Sequence, residues 1–87
     1  RNLMRMEDYE EILSEFNKIM KDFVPQGQLI DEGTDIVADL GLDSLKVMKI
    51  IESVEDNFDI SIPLNILPDV RTVKDLVVQI QKISEAE

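Results

Sequence analysis

Apolar residues recur at helical intervals in three stretches of this 87-residue chain, with aperiodic segments between them. In the first, Tyr9, Ile12, Leu13, Phe16, Ile19, Met20 and Phe23 follow three- and four-residue steps, while Glu7, Glu10, Glu11, Glu15, Lys18 and Lys21 fall mainly on the other side. That spacing predicts an amphipathic helix from about Met6 or Glu7 to Phe23. Asp8 with Glu11 resembles a capping box, and Val24-Pro25-Gln26-Gly27 supplies the stop. In the second stretch Val47, Ile50, Ile51, Val54 and Phe58 predict a helix from about Ser44 to Phe58. In the third, Val73, Leu76, Val77, Ile80 and Ile83 predict a last helix to about Ile83, opened by a Thr72-Val73-Lys74-Asp75 capping box. Pro63-Leu64-Asn65-Ile66-Leu67 fits a short helix that Pro68 ends.

Residues 24–43 lack a period, and so long a connection in a small domain tends to be functional. Leu29, Ile30, Ile36, Val37 and Leu40 are expected to pin it to the helices. Its acids, Asp31, Glu32, Asp35 and Asp39, do not make an EF-hand: the glycine is misplaced and no closing glutamate arrives at the required interval. No segment reads as a strand, and there are no internal repeats. The expected fold class is therefore all-α: a small four-helix bundle of three long helices and one short third helix. It forms one domain over residues 1–87, with 6–84 as the ordered bundle and 1–5 and 85–87 as tails.

Charge narrows the function classes. Nineteen acidic and nine basic residues give a formal charge of −10. Nucleic acid and anionic membrane surfaces both need a Lys/Arg footprint, so neither is an expected partner. An acidic surface suits basic patches on other proteins. The chain has no Cys and no His, which excludes a disulfide framework, a zinc site and Cys–His or Ser–His nucleophile systems. No pair of carboxylates is clearly placed for catalysis, so no enzymatic activity and no metal site are expected. No apolar run approaches the length of a membrane span or a signal-peptide core, and the expected setting is the cytoplasm, as a monomer. The apolar set is mostly aliphatic, so a fatty chain could lodge in such a core.

The stretch that carries chemistry is Asp39-Leu40-Gly41-Leu42-Asp43-Ser44-Leu45. Asp43 and Ser44 are both N-cap types, and Gly41 permits a tight, positive-φ approach. A serine hydroxyl at a helix N-terminus lies where orphan N–H groups favour an anion, a suitable place for a phosphate ester. On capping grounds alone the pair is a cap and nothing more. The whole heptapeptide resembles the D-x-G-x-D-S-[LI] signature of the acyl carrier protein family. The resemblance runs from about Thr34 to Ile83 and includes Phe58-Asp59, Ile62-Pro63 and Thr72-Val73.

The resemblance implies a 4′-phosphopantetheine arm on Ser44, attached by a phosphopantetheinyl transferase, with Asp43 supporting the modification. The arm's thiol, which this chain otherwise lacks, would hold acyl or aminoacyl groups as thioesters. Loading ligases and acyl-transferring or elongating enzymes are the implied partners. They would dock along the second long helix, through Leu45, Lys46, Met48, Lys49, Glu52, Glu55 and Asp56. Lys46 and Lys49 stand where fatty-acid carriers are commonly acidic, and the third helix is apolar where that type carries carboxylates. These departures favour a specialised lipid, polyketide or peptide pathway. The alternatives are a housekeeping fatty-acid carrier and an unmodified, carrier-like interaction subunit.

Overall fold

The computed structural model describes residues 8–86; the expected helix start at Met6 or Glu7 and the tail 1–5 lie outside them. The first helix, α1 (Tyr9–Met20), is capped by Asp8, whose carboxylate accepts the Glu10 N–H at 2.8 Å. Glu10 and Glu11 in its first turn and Lys18 in its last complement the helix dipole. It stops three residues short of the expected Phe23. The Asp22 and Phe23 amides bond to carbonyls three residues back, at 3.2 and 2.9 Å. This tightened turn follows from Pro25, which disfavours the helical conformation at Val24.

Helix α2 (Ser44–Phe58) ends where Asp59 turns left-handed, at φ 55°. The Glu55 carbonyl accepts the N–H groups of Asp59 and, at 3.2 Å, of Ile60, a Schellman closure that buries Ile60. A 3₁₀ helix, Leu64–Asp69, follows, and Pro68 lies inside it. The expected stop at Pro68 is thus corrected. With three-residue hydrogen-bond spacing, proline gives up only its own N–H bond, and the Val70 amide closes on Leu67 at 3.0 Å. Helix α3 (Val73–Ala86) runs three residues past Ile83, so Glu85 and Ala86 are helical and not tail.

The start of α3 explains how the long connection is held. Thr72 and Asp75 form the expected capping box: the Asp75 amide donates to Thr72 Oγ1 at 3.1 Å and the Thr72 amide to Asp75 Oδ2 at 3.0 Å. The Thr72 N–H, and then the Arg71 N–H, hold the Asp75 carboxyl below its ordinary pKa. The next two amides, of Val73 and Lys74, donate to the carbonyls of Thr34 (3.0 Å) and Glu32 (2.9 Å) in the connection. In return the Ile36 amide donates to the Arg71 carbonyl at 2.9 Å. Tyr9 hydroxyl reaches Glu32 Oε1 at 2.7 Å, and burial followed by that bond pushes its pKa up to about 12.

Side-chain anchoring of the connection differs from expectation. Ile36 is buried and Ile30 and Leu40 are half-buried, but Leu29 (87% exposed) and Val37 (60% exposed) are left largely uncovered. Backbone bonds do the pinning that those two were assigned, and Leu42 and Thr34 are the additional buried residues. The core joins Ile12, Phe16 and Met20 of α1 to Ile50, Ile51 and Val54 of α2 and to Val73, Leu76, Val77 and Ile80 of α3. Helix α1 packs against both α2 and α3, which touch each other little.

Among the described residues the ion pairs are Lys18–Glu15 and Arg71–Asp35, against a formal charge of −10. The excess acid repels itself across a small surface. Added NaCl or millimolar Mg²⁺ is therefore expected to raise the melting temperature, by screening rather than at one site. A melting curve unchanged by either would contradict this. No group of three or more acidic side chains among the described residues is placed to hold a metal ion.

Candidate functional site

The approach to α2 is built by short-range bonds. Asp35 accepts the amides of Val37 (3.0 Å) and Ala38 (2.7 Å) on one carboxylate oxygen, starting a turn that closes when the Gly41 amide reaches the Val37 carbonyl at 2.8 Å. Gly41 has φ 66°, which costs a residue with a Cβ, and this reverses the chain before the helix. Leu42 is then driven into the core, at 5% exposure, and fixes the position of the next two residues.

Asp43 is the N-cap. Its carboxylate accepts the Lys46 N–H at 2.9 Å and its carbonyl the Val47 N–H at 3.0 Å. Ser44 is thereby released from capping. It is the first helical residue, exposed, and its hydroxyl has no hydrogen-bond partner among the described residues. The amides of Ser44 and Leu45 likewise have no acceptor among the described residues. Two donors and one hydroxyl thus stand together at the positive end of a fifteen-residue helix.

Beside them opens a cleft of about 520 Å³. Asp43 and Ser44 edge it; Val37 and Leu42 from the connection, Ile51 from α2, Leu67 from the 3₁₀ helix and Leu76 from α3 line it. It exists because α2 and α3 both lean on α1 and leave space between themselves. The connection and the 3₁₀ helix cover that space only in part. Its walls are aliphatic, and the charged group on its edge is Asp43.

The other residues singled out from the sequence divide. Leu45 is 64% exposed, and Lys46 and Lys49 are also exposed, all within two turns of Ser44. Met48 is half-buried and faces the cleft. Glu52 and Asp56 are exposed farther along the helix. Glu55 is engaged within the fold, where its carboxylate accepts the Ile62 N–H at 2.7 Å and ties the turn after α2 back to the helix. Sequence reasoning did not identify Leu67 and Val70 as cleft walls, because they lie in a short segment without a period. Leu42 could have been found: one apolar residue between turn formers is an anchor.

A family model described as "Phosphopantetheine attachment site" matches residues 10–79. The chain is similar to an acyl carrier protein of Rhodococcus erythropolis (strain PR4), 36% identical over 81 residues, 90% of this chain and 86% of that protein. An acyl carrier protein of Thermobifida fusca is 35% identical over 75 residues, 84% of this chain and 94% of that one. A meromycolate extension acyl carrier protein of Mycolicibacterium aurum is 43% identical over 49 residues, 56% of this chain and 50% of that protein.

Proposed function

This chain belongs to the acyl carrier protein family, with a phosphopantetheine attachment domain, and from that premise we propose that Ser44 bears the arm and that the cargo is aliphatic. Like its family it is a carrier and not an enzyme. The residues present fit the group. Ser44 Oγ is exposed and uncommitted, so it can form the phosphodiester link. The N–H groups of Ser44 and Leu45 remain as donors for a phosphate oxygen at the helix N-terminus. Asp43 keeps the first turn formed while its neighbour is modified. When bound, the arm supplies the thiol that a chain without cysteine lacks, and holds the acyl group there as a thioester.

The observation that carries this reading is the position of Ser44 at once on the first turn of α2 and on the edge of an aliphatic cleft. An apolar chain entering the cleft would be withdrawn from water, at about 25 cal/mol for each Å² buried. Similarity to a meromycolate extension carrier and the aliphatic walls both support a specialised lipid pathway over a peptide one. Family members work with a phosphopantetheinyl transferase and acyl-handling enzymes, and α2 beside Ser44 is the surface these would meet.

The test is the intact mass of protein isolated from its native source with its acyl group preserved. The expected result is one phosphopantetheine carrying an aliphatic acyl group. An unmodified protein would overturn the carrier role of Ser44, and an aminoacyl cargo would overturn the lipid reading.

A further inference from the structure

Charge is placed on α2 against the rule that α1 obeys. In α1 acids occupy the first turn and Lys18 the last, as the helix dipole favours. In α2 the first turn has no acid and contains Lys46, the last turn has no base, and Glu55, Asp56 and then Asp59 crowd the negative end. Asp43 at the N-cap obeys the dipole and Glu55 is used on the Ile62 amide, but Lys46, Asp56 and Asp59 oppose it, so the dipole does not account for their placement. Lys46 and Lys49 are exposed and have no ion-pair partner among the described residues, although acids outnumber bases nineteen to nine. Leu45, Lys49, Glu52 and Asp56 follow four-, three- and four-residue steps, so they share one face.

We infer that this face is a polarised docking strip for a partner enzyme with acidic side chains around its arm entrance and basic side chains farther out. The inference rests on Ser44 being the attachment residue. Lys49 and Asp56 are separated by seven residues along the helix, about 10 Å at 1.5 Å each. Glu52 lies between them, about 4.5 Å past Lys49, so the sign changes within one turn, and only the two ends, farther apart than the screening length of about 8 Å at physiological salt, present separate fields of opposite sign. The lysine end lies beside Ser44 and the acidic end points away, which fixes the direction in which the partner lies along α2. Leu45 and Met48, between the lysines and the cleft, supply the apolar contact. Two antiparallel copies of α2 would also match in sign, but a formal charge of −10 on each chain sets two copies against each other.

The experiment uses the phosphopantetheine-loaded carrier, wild type and Lys46→Asp/Lys49→Glu, each charged with the same acyl group and verified by mass. The probes are a fatty-acid-type condensing enzyme with basic residues at its arm entrance, and a variant of that enzyme with those residues changed to glutamate. Wild-type carrier should show a kcat/KM roughly tenfold higher with the acidic entrance than with the basic one, and the double variant should reverse the order. The difference should lie in association and collapse at about 0.5 M salt, with kcat preserved. The variant should remain folded, because the acid at position 46 suits the dipole while both new acids add to the self-repulsion of the surface, and both carriers are compared at a temperature where each is folded. Equal kcat/KM for both carriers with both enzymes at low salt would overturn the inference. So would a wild-type dimer that the double variant loses, since the face would then belong to a second copy. Failure of wild-type protein to accept the arm at all would instead overturn the assignment of Ser44.

Discussion

Ser44→Ala is expected to abolish loading of the arm while leaving the bundle folded. On incubation with coenzyme A, Mg²⁺ and a broad-specificity transferase, wild type should gain one phosphopantetheine and the variant none. The effect is all-or-none because one oxygen makes the bond. Ser14, Ser53 and Ser84 lie inside helices and Ser61 in the turn after α2; none of them opens a helix beside the cleft. The fold should hardly notice, because Asp43 and not Ser44 caps α2. Loss of a true cap costs about 1 kcal/mol, whereas a surface change away from one stays within about 0.5 kcal/mol. Loading at any other serine, or a Ser44→Ala variant that unfolds, would contradict this assignment.

The second large effect is on stability. Phe16→Ala should cost about 3–5 kcal/mol, read as a fall in the urea midpoint at an unchanged slope. Phe16 is fully buried on α1, the helix against which both α2 and α3 pack. A chain of this length has roughly 0.05–0.15 kcal/mol of stability per residue, about 4–13 kcal/mol in all, so the loss is a large share of the total. Because α2 and α3 touch little, no second interface compensates when α1 loosens. Leu64→Ala, at a residue 60% exposed, is the matched control and should change the midpoint little. A cost below about 1 kcal/mol at Phe16 would show that α1 is not the hub.

What could be read from the sequence followed physical periodicity. Ile12, Phe16, Ile50, Val54, Leu76 and Ile80 repeat at helical steps, and each is buried as that pattern requires. The Asp43-Ser44 pair was legible because capping is local chemistry, and the Thr72–Asp75 box for the same reason. The connection was not. Leu29 and Val37 are apolar and read as anchors of the connection to the helices, yet both are largely exposed, Val37 at the rim of the cleft, since backbone hydrogen bonds to the start of α3 already hold that segment. Such bonds are made by groups every residue possesses, so no side chain announces them. The cleft was hidden too, because it arises from the way two helices diverge and not from any one stretch. Glu55, assigned to the partner surface with the other charges of α2, is tied to the Ile62 amide, a contact made across a turn whose geometry the spacing does not reveal.

The tie between the connection and α3 also sets an order of events as the chain folds. Two of the first amides of α3 find their acceptors at Glu32 and Thr34, about forty residues upstream. Closing a loop of that size costs entropy that local helix contacts do not, so α1 and α2 can form early while the start of α3 waits. The Val73 and Lys74 amides are then expected to close on Thr34 and Glu32 late, and Leu76, one turn into α3, to become a wall of the cleft beside Ser44 with them.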